Sequence, residues 1–245
     1  MKLGEYELNQ IYTGDARELS KGIPDESVDL ILCDPVYWQI DDYRWLAQEG
    51  KRVLKPYGYC IAQVGTYYLF EAMKAMSESL DYYWLISETL TYAAAFFARK
   101  VAQLHKPYLW FAKGVKNCPE RRFMIDRLTP SPKNKAFHQW GDDIGAMIPI
   151  IDRLTIKGQI VFDPFCGGGT VEAACKELSR QYIGFEINEE TALKAQRRLY
   201  EMPEPLPFTY HDSYQGRLFE GMEDAAEQRF APDLERRAET LVAEN

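Results

Sequence analysis

The chain has 245 residues, enough for one α/β domain with a large hydrophobic core or at most two small domains. It contains no run of eighteen apolar residues, and its first residues lack the apolar core of a signal peptide, so neither a membrane span nor secretion is expected. We therefore expect a cytoplasmic protein with reduced thiols. No metal site or disulfide framework is predicted, because the five cysteines are scattered and form no Cys-x-x-Cys pair: Cys33, Cys60, Cys118, Cys166 and Cys175.

The formal net charge of -8 is distributed unevenly along the chain. Residues 201–245 hold eleven Asp/Glu against four Arg, so residues 1–200 are almost neutral. Within them, residues 99–140 hold ten Lys/Arg and two acids. This segregation is typical of a surface that faces phosphates, and a merely solvated basic face is the alternative.

Apolar runs alternate with helical patterns along residues 28–200, which predicts an α/β fold with a doubly wound, mostly parallel sheet. Ligand sites in such sheets lie at the carboxyl ends of strands. The predicted strands cover residues 28–33, 59–64, 82–90, 107–112, 159–162 and 181–186. The predicted helices cover residues 43–54, 67–80, 143–154, 171–180 and 189–200, with a turn at 55–58, a kink near Pro149 and a helix cap at Asn188.

Residues 163–170 read Asp-Pro-Phe-Cys-Gly-Gly-Gly-Thr between a predicted strand and a predicted helix. Glycines let the backbone turn tightly and approach a ligand, and a helix start offers unpaired N–H groups, so this loop predicts a nucleotide pocket. Neither Gly-x-Gly-x-x-Gly nor Gly-Lys-Ser/Thr is present, which disfavours dinucleotide and triphosphate ligands. The carboxylate of Asp163 favours a cationic ligand instead.

This octet resembles motif I of the amino-methyltransferases that act on nucleic-acid bases, Asp-Pro-Phe-x-Gly-x-Gly-Thr. Asp34-Pro35-Val36-Tyr37, after another predicted strand, resembles their catalytic Asp-Pro-Pro-Tyr motif. The order of the motifs resembles the beta-type permutation of DNA amino-methyltransferases, and the resemblance covers about residues 10–200. It implies the Rossmann-like fold of S-adenosylmethionine-dependent methyltransferases.

The resemblance and the residue chemistry imply where each part of S-adenosylmethionine binds. Asp163 would attract the ammonium group, Phe165 would form an apolar wall, and Glu186 would accept from the ribose hydroxyls. Asp15, in a Gly-Asp pair, would contact the adenine amino group. The predicted cofactor-binding set is Asp15, Ala16, Asp163, Phe165, Cys166, Gly167, Gly169, Thr170 and Glu186.

The resemblance implies methylation of the exocyclic amino group of a base that has left the duplex. Asp34 and the Pro35 carbonyl would accept from the amine, and Tyr37 would stack on the base. An Asp at this place favours adenine N6, with cytosine N4, an RNA or a protein amide as alternative substrates. Val36 replaces the second Pro of the family motif, and residues 138–143 match the family at His138 alone, so a non-catalytic binding module is a further alternative.

Residues 1–200 are the predicted methyltransferase domain, and 201–245 an acidic tail. By resemblance, the basic segment 113–140 recognises double-stranded DNA, and a nucleoid-associated homodimer is compatible with the family. Its DNA contacts are expected at Lys116, Arg121, Arg122, Arg127, Lys133 and Lys135. In the tail, Gln215, Leu218 and Phe219 resemble a sliding-clamp docking peptide, with an amphipathic turn as the alternative. Trp38, Trp45, Trp84 and Trp110 are expected in the core.

Overall fold

The structure is a computed structural model, and it describes residues 1–115, 124–129 and 144–203. The strands within these ranges are β1 (Lys2–Leu3), β2 (Tyr6–Glu7), β3 (Gln10–Thr13), β4 (Val28–Cys33), β5 (Leu54–Gln63), β6 (Asp81–Phe96), β7 (Val101–Ala112), β8 (Arg127–Leu128), β9 (Ile160–Asp163) and β10 (Gln181–Glu186). The α-helices are α1 (Ala16–Leu19), α2 (Ile40–Val53), α3 (Leu69–Ser77), α4 (Met147–Leu154), α5 (Thr170–Glu177) and α6 (Glu189–Glu201).

The main sheet has the strand order β3-β10-β9-β4-β5-β7-β6-β8 in the described part of the chain. Strand β7 pairs antiparallel with both of its neighbours, and the other pairs are parallel. The predicted doubly wound, mostly parallel α/β sheet is therefore confirmed. Among the described helices, none is long and apolar enough to span a bilayer.

Helices cover both faces of this sheet. Successive side chains of a strand point to opposite faces, and in β4 Ile31 and Cys33 pack in one core cluster while Leu30 and Leu32 pack in another. The first cluster holds the apolar faces of α2 and α3, and the second holds those of α4, α5 and α6. Because both faces of β4 are buried, its sequence is apolar without interruption from Leu30 to Cys33.

The chain winds from β9 to β10 in one direction along the sheet and from β4 to β5 in the other. The order therefore reverses between β9 and β4, which are neighbours with Leu30 opposite Val161 and Ile31 opposite Phe162. At such a switch point the loops that follow two adjacent strands separate and leave a crevice. This crevice determines where the site lies.

Several predicted elements differ from those observed. The predicted turn at 55–58 is part of β5, where Tyr57 adopts φ 65° and the pairing with β4 is irregular. Pro149 causes no kink, because it lies in the first turn of α4, where no intrahelical hydrogen bond is lost. The Asn188 cap is confirmed, since its side chain accepts from the Thr191 N–H at 2.9 Å.

The largest difference concerns β6 and β7, which were predicted over residues 82–90 and 107–112. They form one long hairpin, 16 and 12 residues in length, because each strand supplies the ladder partners of the other. Arg127–Leu128, within the basic segment 113–140, forms the short edge strand β8 beside β6.

Candidate active site

Five neighbouring parallel strands end at the same edge of the sheet, in the order β3, β10, β9, β4 and β5. Polar residues stand at or just after these ends: Asp15, Glu186, Asp163, Asp34 and Gln63. Because β9 and β4 are adjacent, the glycine loop after Asp163 and the loop that begins at Asp34 start side by side. The structure thus brings the two sequence motifs to one crevice.

The glycine loop is shaped for close approach of a ligand. Gly167 has φ 47° and Gly169 has φ 74°, a left-handed conformation that other residues adopt at a cost. A Cβ atom built on Gly167 or Gly168 would meet no atom within 4 Å, so the loop borders open space. Cys166 points inward instead, since it is 5% exposed and its N–H donates to the Phe185 carbonyl at 2.9 Å.

Glu186 organises this loop through both of its carboxylate oxygens. Oε2 accepts from the Gly167 N–H at 3.0 Å, and Oε1 accepts from the Asn188 N–H at 2.8 Å. The Glu186 backbone carbonyl accepts from the Gly14 N–H at 2.9 Å. Asp15 is therefore adjacent, where its side chain accepts from the Arg17 N–H and caps α1, while Ala16 is buried. The capping role of Asp15 leaves its second carboxylate oxygen for another partner.

Two buried carboxyl groups lie beneath the loop. Asp163 is 3% exposed and accepts from the Phe165 N–H at 2.9 Å. Glu172, on α5, is fully buried, and within the described part of the chain neither of its carboxyl oxygens has a hydrogen-bond partner. Burial raises the pKa of both groups well above their ordinary values, and nearby acids add to this rise: Asp34 and Glu186 for Asp163, and Asp163 for Glu172. This shift favours the protonated form of Asp163, and a cation that reached the group would favour the carboxylate.

Asp34 lies at the mouth of the crevice, where the residue remains exposed. With its amide nitrogen facing the carboxylate, buried Gln63 donates to Asp34 Oδ2 at 2.9 Å and to Oδ1 at 3.1 Å. Desolvation by the surrounding protein raises the pKa of Asp34 to about 6, although the nearby Lys106 charge and a hydrogen bond from Tyr37 lower it. Asp34 is thus a carboxylate at neutral pH, held at a defined orientation.

Tyr37 is half-buried between Asp34 and the end of β5. Its hydroxyl bonds to Asp34, and burial raises the pKa of Tyr37. A Cβ atom on Gly65 would come within 2.9 Å of the Tyr37 ring, so the ring packs directly on that glycine. Pro35 is buried and Val36 is exposed, which places the departure from the family motif at the surface.

Three residues near the site escaped sequence reasoning. Gln63 and Glu172 looked like ordinary polar residues, and only their burial sets them apart. Lys106 belonged to the basic stretch, but the fold places it close enough to Asp34 to affect that carboxyl. A polar residue at the end of an apolar strand, as in residues 60–64, is the one signal that could have identified Gln63.

The tryptophan prediction was wrong for two of the four side chains. Trp110 is 7% exposed and Trp45 is partly buried against Phe165, at 5.8 Å between ring centroids. Trp38 and Trp84 are 68% and 52% exposed, because Trp38 follows the site loop and Trp84 lies in β6 near the sheet edge.

Of the residues predicted to contact DNA, Arg127 is described and lies exposed in β8, where Nε donates to Thr89 Oγ1 at 3.3 Å. Five lie outside the described residues: Lys116, Arg121, Arg122, Lys133 and Lys135. The same holds for His138 and for Gln215, Leu218 and Phe219.

The residues present fit S-adenosylmethionine. Its cationic amino-acid end needs a carboxylate, which Asp163 would supply, and its ribose needs an acceptor at a neighbouring strand end, which Glu186 would supply. The open space at Gly167 and Gly168 lets a ligand approach the backbone N–H groups at the start of α5. The edge-on contact of Trp45 with Phe165 provides an apolar wall beside the loop.

Two family profiles match separate parts of the chain. That of the N6/N4 DNA methylases, described as DNA methylase, matches residues 144–197, which include the glycine loop and Glu186. A methyltransferase domain profile matches residues 2–62, which include Asp15 and Asp34.

Among curated proteins, the chain is similar to type II methyltransferases. It is 26% identical to M.BglII of Bacillus subtilis over 249 residues, covering 75% of this chain and 66% of that protein. It is 27% identical to M.HpaI of Haemophilus parainfluenzae over 235 residues, covering 78% of this chain and 74% of that protein. The chain thus spans about two thirds to three quarters of these relatives.

Among solved structures, the chain is similar to M1.HpyAVI in complex with S-adenosylmethionine. The TM-score is 0.62 and the identity 27%, over 78% of this chain and 98% of that one. The PvuII cytosine-N4-specific DNA methyltransferase has a TM-score of 0.65 at 17% identity over 87% of this chain and 90% of that one, which shows a shared fold. With the two strand-end motifs, these similarities support a DNA amino-methyltransferase that uses S-adenosylmethionine and has the α/β fold of the enzymes that share this cofactor.

Proposed function

We propose that the protein methylates the N6 amino group of adenine in double-stranded DNA. The observation that carries the proposal is the position of Asp34, an exposed carboxylate at the end of β4 beside the glycine loop of β9. A carboxylate in the first position of the catalytic motif supports adenine, because the cytosine enzymes of the resembled family more often begin this motif with Ser. Methylation of cytosine N4 is the alternative, and the expression test below distinguishes the two bases.

The chemical difficulty lies in the amine, whose lone pair is delocalised into the base. Two acceptors that bind its hydrogens localise this pair on nitrogen, and Asp34 and the Pro35 carbonyl are the proposed acceptors. Gln63 and Tyr37 hold the Asp34 carboxylate in place, so little reorganisation is needed when the base arrives. When bound, S-adenosylmethionine supplies the methyl group on an electrophilic sulfonium.

The chain contributes mainly alignment, because displacement at a methyl group requires donor and acceptor in line. On the cofactor side we assign the predicted set of residues, with Asp163 facing the ammonium group and Glu186 the ribose. The DNA contacts assigned to segment 113–140, a homodimer, a clamp contact through the tail and an association with the nucleoid remain predictions. The type II names of the relatives suggest a role in restriction and modification.

Replacing Glu186 by Gln is expected to weaken binding of S-adenosylmethionine about 10- to 100-fold, because charge-assisted hydrogen bonds contribute about 1.5–3 kcal/mol each. Isothermal titration calorimetry measures this directly. The matched control is Glu190→Gln in the first turn of α6, where the side chain is 78% exposed and pairs with Lys194. Equal affinities in both variants would remove Glu186 from the cofactor site.

The proposed function is tested by expressing the protein in bacteria that lack N6-methyladenine and N4-methylcytosine. We expect N6-methyladenine in the digested DNA, detected by mass spectrometry of nucleosides, at a sequence that single-molecule sequencing identifies. N4-methylcytosine would correct the base assignment, since the same amine chemistry applies. DNA without either base, from cells containing folded protein that binds S-adenosylmethionine, would contradict the proposal.

A further inference from the structure

The hairpin of β6 and β7 extends beyond the edge of the sheet at which the site lies. Gln63, the last residue of β5, pairs with Tyr108, so the part of β7 before Tyr108 has no neighbour in β5. From Tyr108 back to Val101 is seven residues, about 23 Å at about 3.3 Å per residue. We name residues 89–106 the arm. It begins beside Asp34 and extends beyond the sheet edge, on the side from which a target base would enter the crevice.

The outer part of the arm, including its tip, is held against the turn that follows β5. Gln103 Nε2 donates to Thr66 Oγ1 at 2.9 Å, and the Arg99 guanidinium lies 4.3 Å from the centroid of the Tyr67 ring. A cation over an aromatic face contributes about 0.5–1 kcal/mol at exposed sites. Because these contacts hold the arm against the protein, its tip keeps a fixed position when a partner binds.

The tip is apolar and exposed. Phe97 is 81% exposed in the turn between the strands, and Phe96, Val101 and Leu104 are 38%, 54% and 56% exposed. Phe96 lies opposite Val101 in the ladder, so these two side chains form an apolar patch on one face of the arm, while Leu104 points to the other face. Contiguous exposed apolar surface of this kind marks an interaction site.

The charge of the arm identifies the partner. Beyond the ladder pair Glu88–Lys106, the hairpin contains Arg99 and Lys100 and no Asp or Glu, in a chain whose net charge is -8. An apolar tip flanked by cations matches the elements that insert an aromatic wedge between DNA bases while cations hold the phosphates. The major groove is about 8.5 Å deep, so an arm of about 23 Å can reach the base stack while Asp34 stays outside it.

We propose that the arm inserts Phe97 into the duplex at the place vacated by the target base, while Lys100 contacts a flanking phosphate. This inference rests on the proposed function. It assigns to the hairpin the part of DNA binding that opens the base pair. The basic segment 113–140 would then serve recognition of the sequence.

The test compares Phe97→Ala with the wild type on two duplexes. In one the target base is paired, and in the other it faces an abasic site and needs little help to leave the stack. We expect kcat/KM on the paired duplex to fall about 10- to 100-fold. The reason is that the wedge offsets part of an unstacking cost of about a few kcal/mol, and the variant lacks the wedge. On the abasic duplex the variant should remain within threefold of the wild type. Phe97→Leu, which keeps an apolar wedge, should retain most of the activity.

Tyr200→Ala is the matched control, because Tyr200 is an aromatic residue, 90% exposed, at the far end of α6. Equal loss on both duplexes, or no loss on the paired one, would overturn the role of Phe97 as a wedge. The proposal would also be overturned if sedimentation showed that the wild type is a dimer and that Phe97→Ala is a monomer. The tip would then contact a second copy of the chain. Wild-type protein inactive on both duplexes would refute the proposed function itself.

Discussion

The Asp34→Asn variant is expected to lose about 10²- to 10⁴-fold of kcat/KM for methyl transfer to DNA, the usual range for removal of a positioned proton acceptor. Asn keeps the size of the side chain but turns an amide N–H₂ group or a weaker oxygen toward the amine. The affinity for S-adenosylmethionine should stay within threefold, because Asp34 contributes to the base side of the crevice. Transfer of labelled methyl groups to duplex DNA measures kcat/KM, and calorimetry measures the affinity for S-adenosylmethionine.

The pH dependence of the wild type follows from the same carboxyl. Its pKa of about 6 means that Asp34 becomes protonated below pH 6 and then no longer accepts a second hydrogen bond. The wild-type kcat/KM should therefore fall about tenfold per pH unit below about 6. The charge of Lys106 and the hydroxyl of Tyr37 favour the carboxylate, while Glu88 opposes it, so Lys106→Gln should move this limb to higher pH.

Loss of activity in Asp34→Asn should accompany a gain in stability. The pKa of Asp34 rises from 3.8 to about 6 on folding, so the unfolded chain releases this proton at lower pH than the folded protein does. Above pH 6 the folded protein therefore carries a desolvated charge that opposes folding. Asn removes that charge, and the melting temperature at pH 7.5 should rise. The gain should shrink as the pH falls toward 3.8, where the carboxyl is protonated in both states.

A control substitution separates these effects from a general change of charge. Asp41→Asn removes a carboxylate that is 84% exposed at the start of α2, where it pairs with Arg44. Because exposed ion pairs contribute about 0–1 kcal/mol, neither activity nor its pH profile should change noticeably. An Asp34→Asn enzyme with at least a third of the wild-type rate would remove Asp34 from the mechanism.

The sequence predicts the parts of this fold that local chemistry determines. Residues 28–33 form a strand because the apolar run from Leu30 to Cys33 suits a parallel sheet buried on both faces. Asn188 begins α6 because its side chain can cap the helix, and residues 163–170 form a turn because their glycines accept positive φ. The switch point then follows from the alternation of strands and helices.

Features that arise from tertiary contacts were beyond the sequence. Residues 91–98 are rich in Ala and lack an alternating pattern, so nothing local predicts that β6 and β7 extend into an arm. The same limit applies to Glu172, which in sequence is an unremarkable acid in a helix and in the structure is fully buried. The pairing of Gln63 with Asp34 also depends on adjacent strands that are distant in sequence.

Gly184→Ala is expected to lower stability by about 1–3 kcal/mol, the usual effect of overpacking a tight core. Gly184 lies in β10, where an added Cβ would stand 2.4 Å from Glu172 Oε1 and 3.1 Å from Cys166 Cβ. Neither neighbour can retreat easily, since both are buried. Because a change of 1 kcal/mol shifts the melting temperature by about 2–4 °C in a protein of this size, a fall of about 2–12 °C should be seen by calorimetry.

Glu172 should be the main source of this effect, and a double-mutant cycle tests that. Glu172→Ala removes the carboxyl that the new methyl group would meet, so Glu172→Ala with Gly184→Ala should lose less stability than the sum of the two single changes. Gly168→Ala is the control in the cofactor-free protein, because a Cβ there meets nothing within 4 Å. Strict additivity would show that the strain falls on Cys166. In that case the close packing of Glu172 on Gly184 would not explain why β10 carries a glycine beneath the cofactor loop.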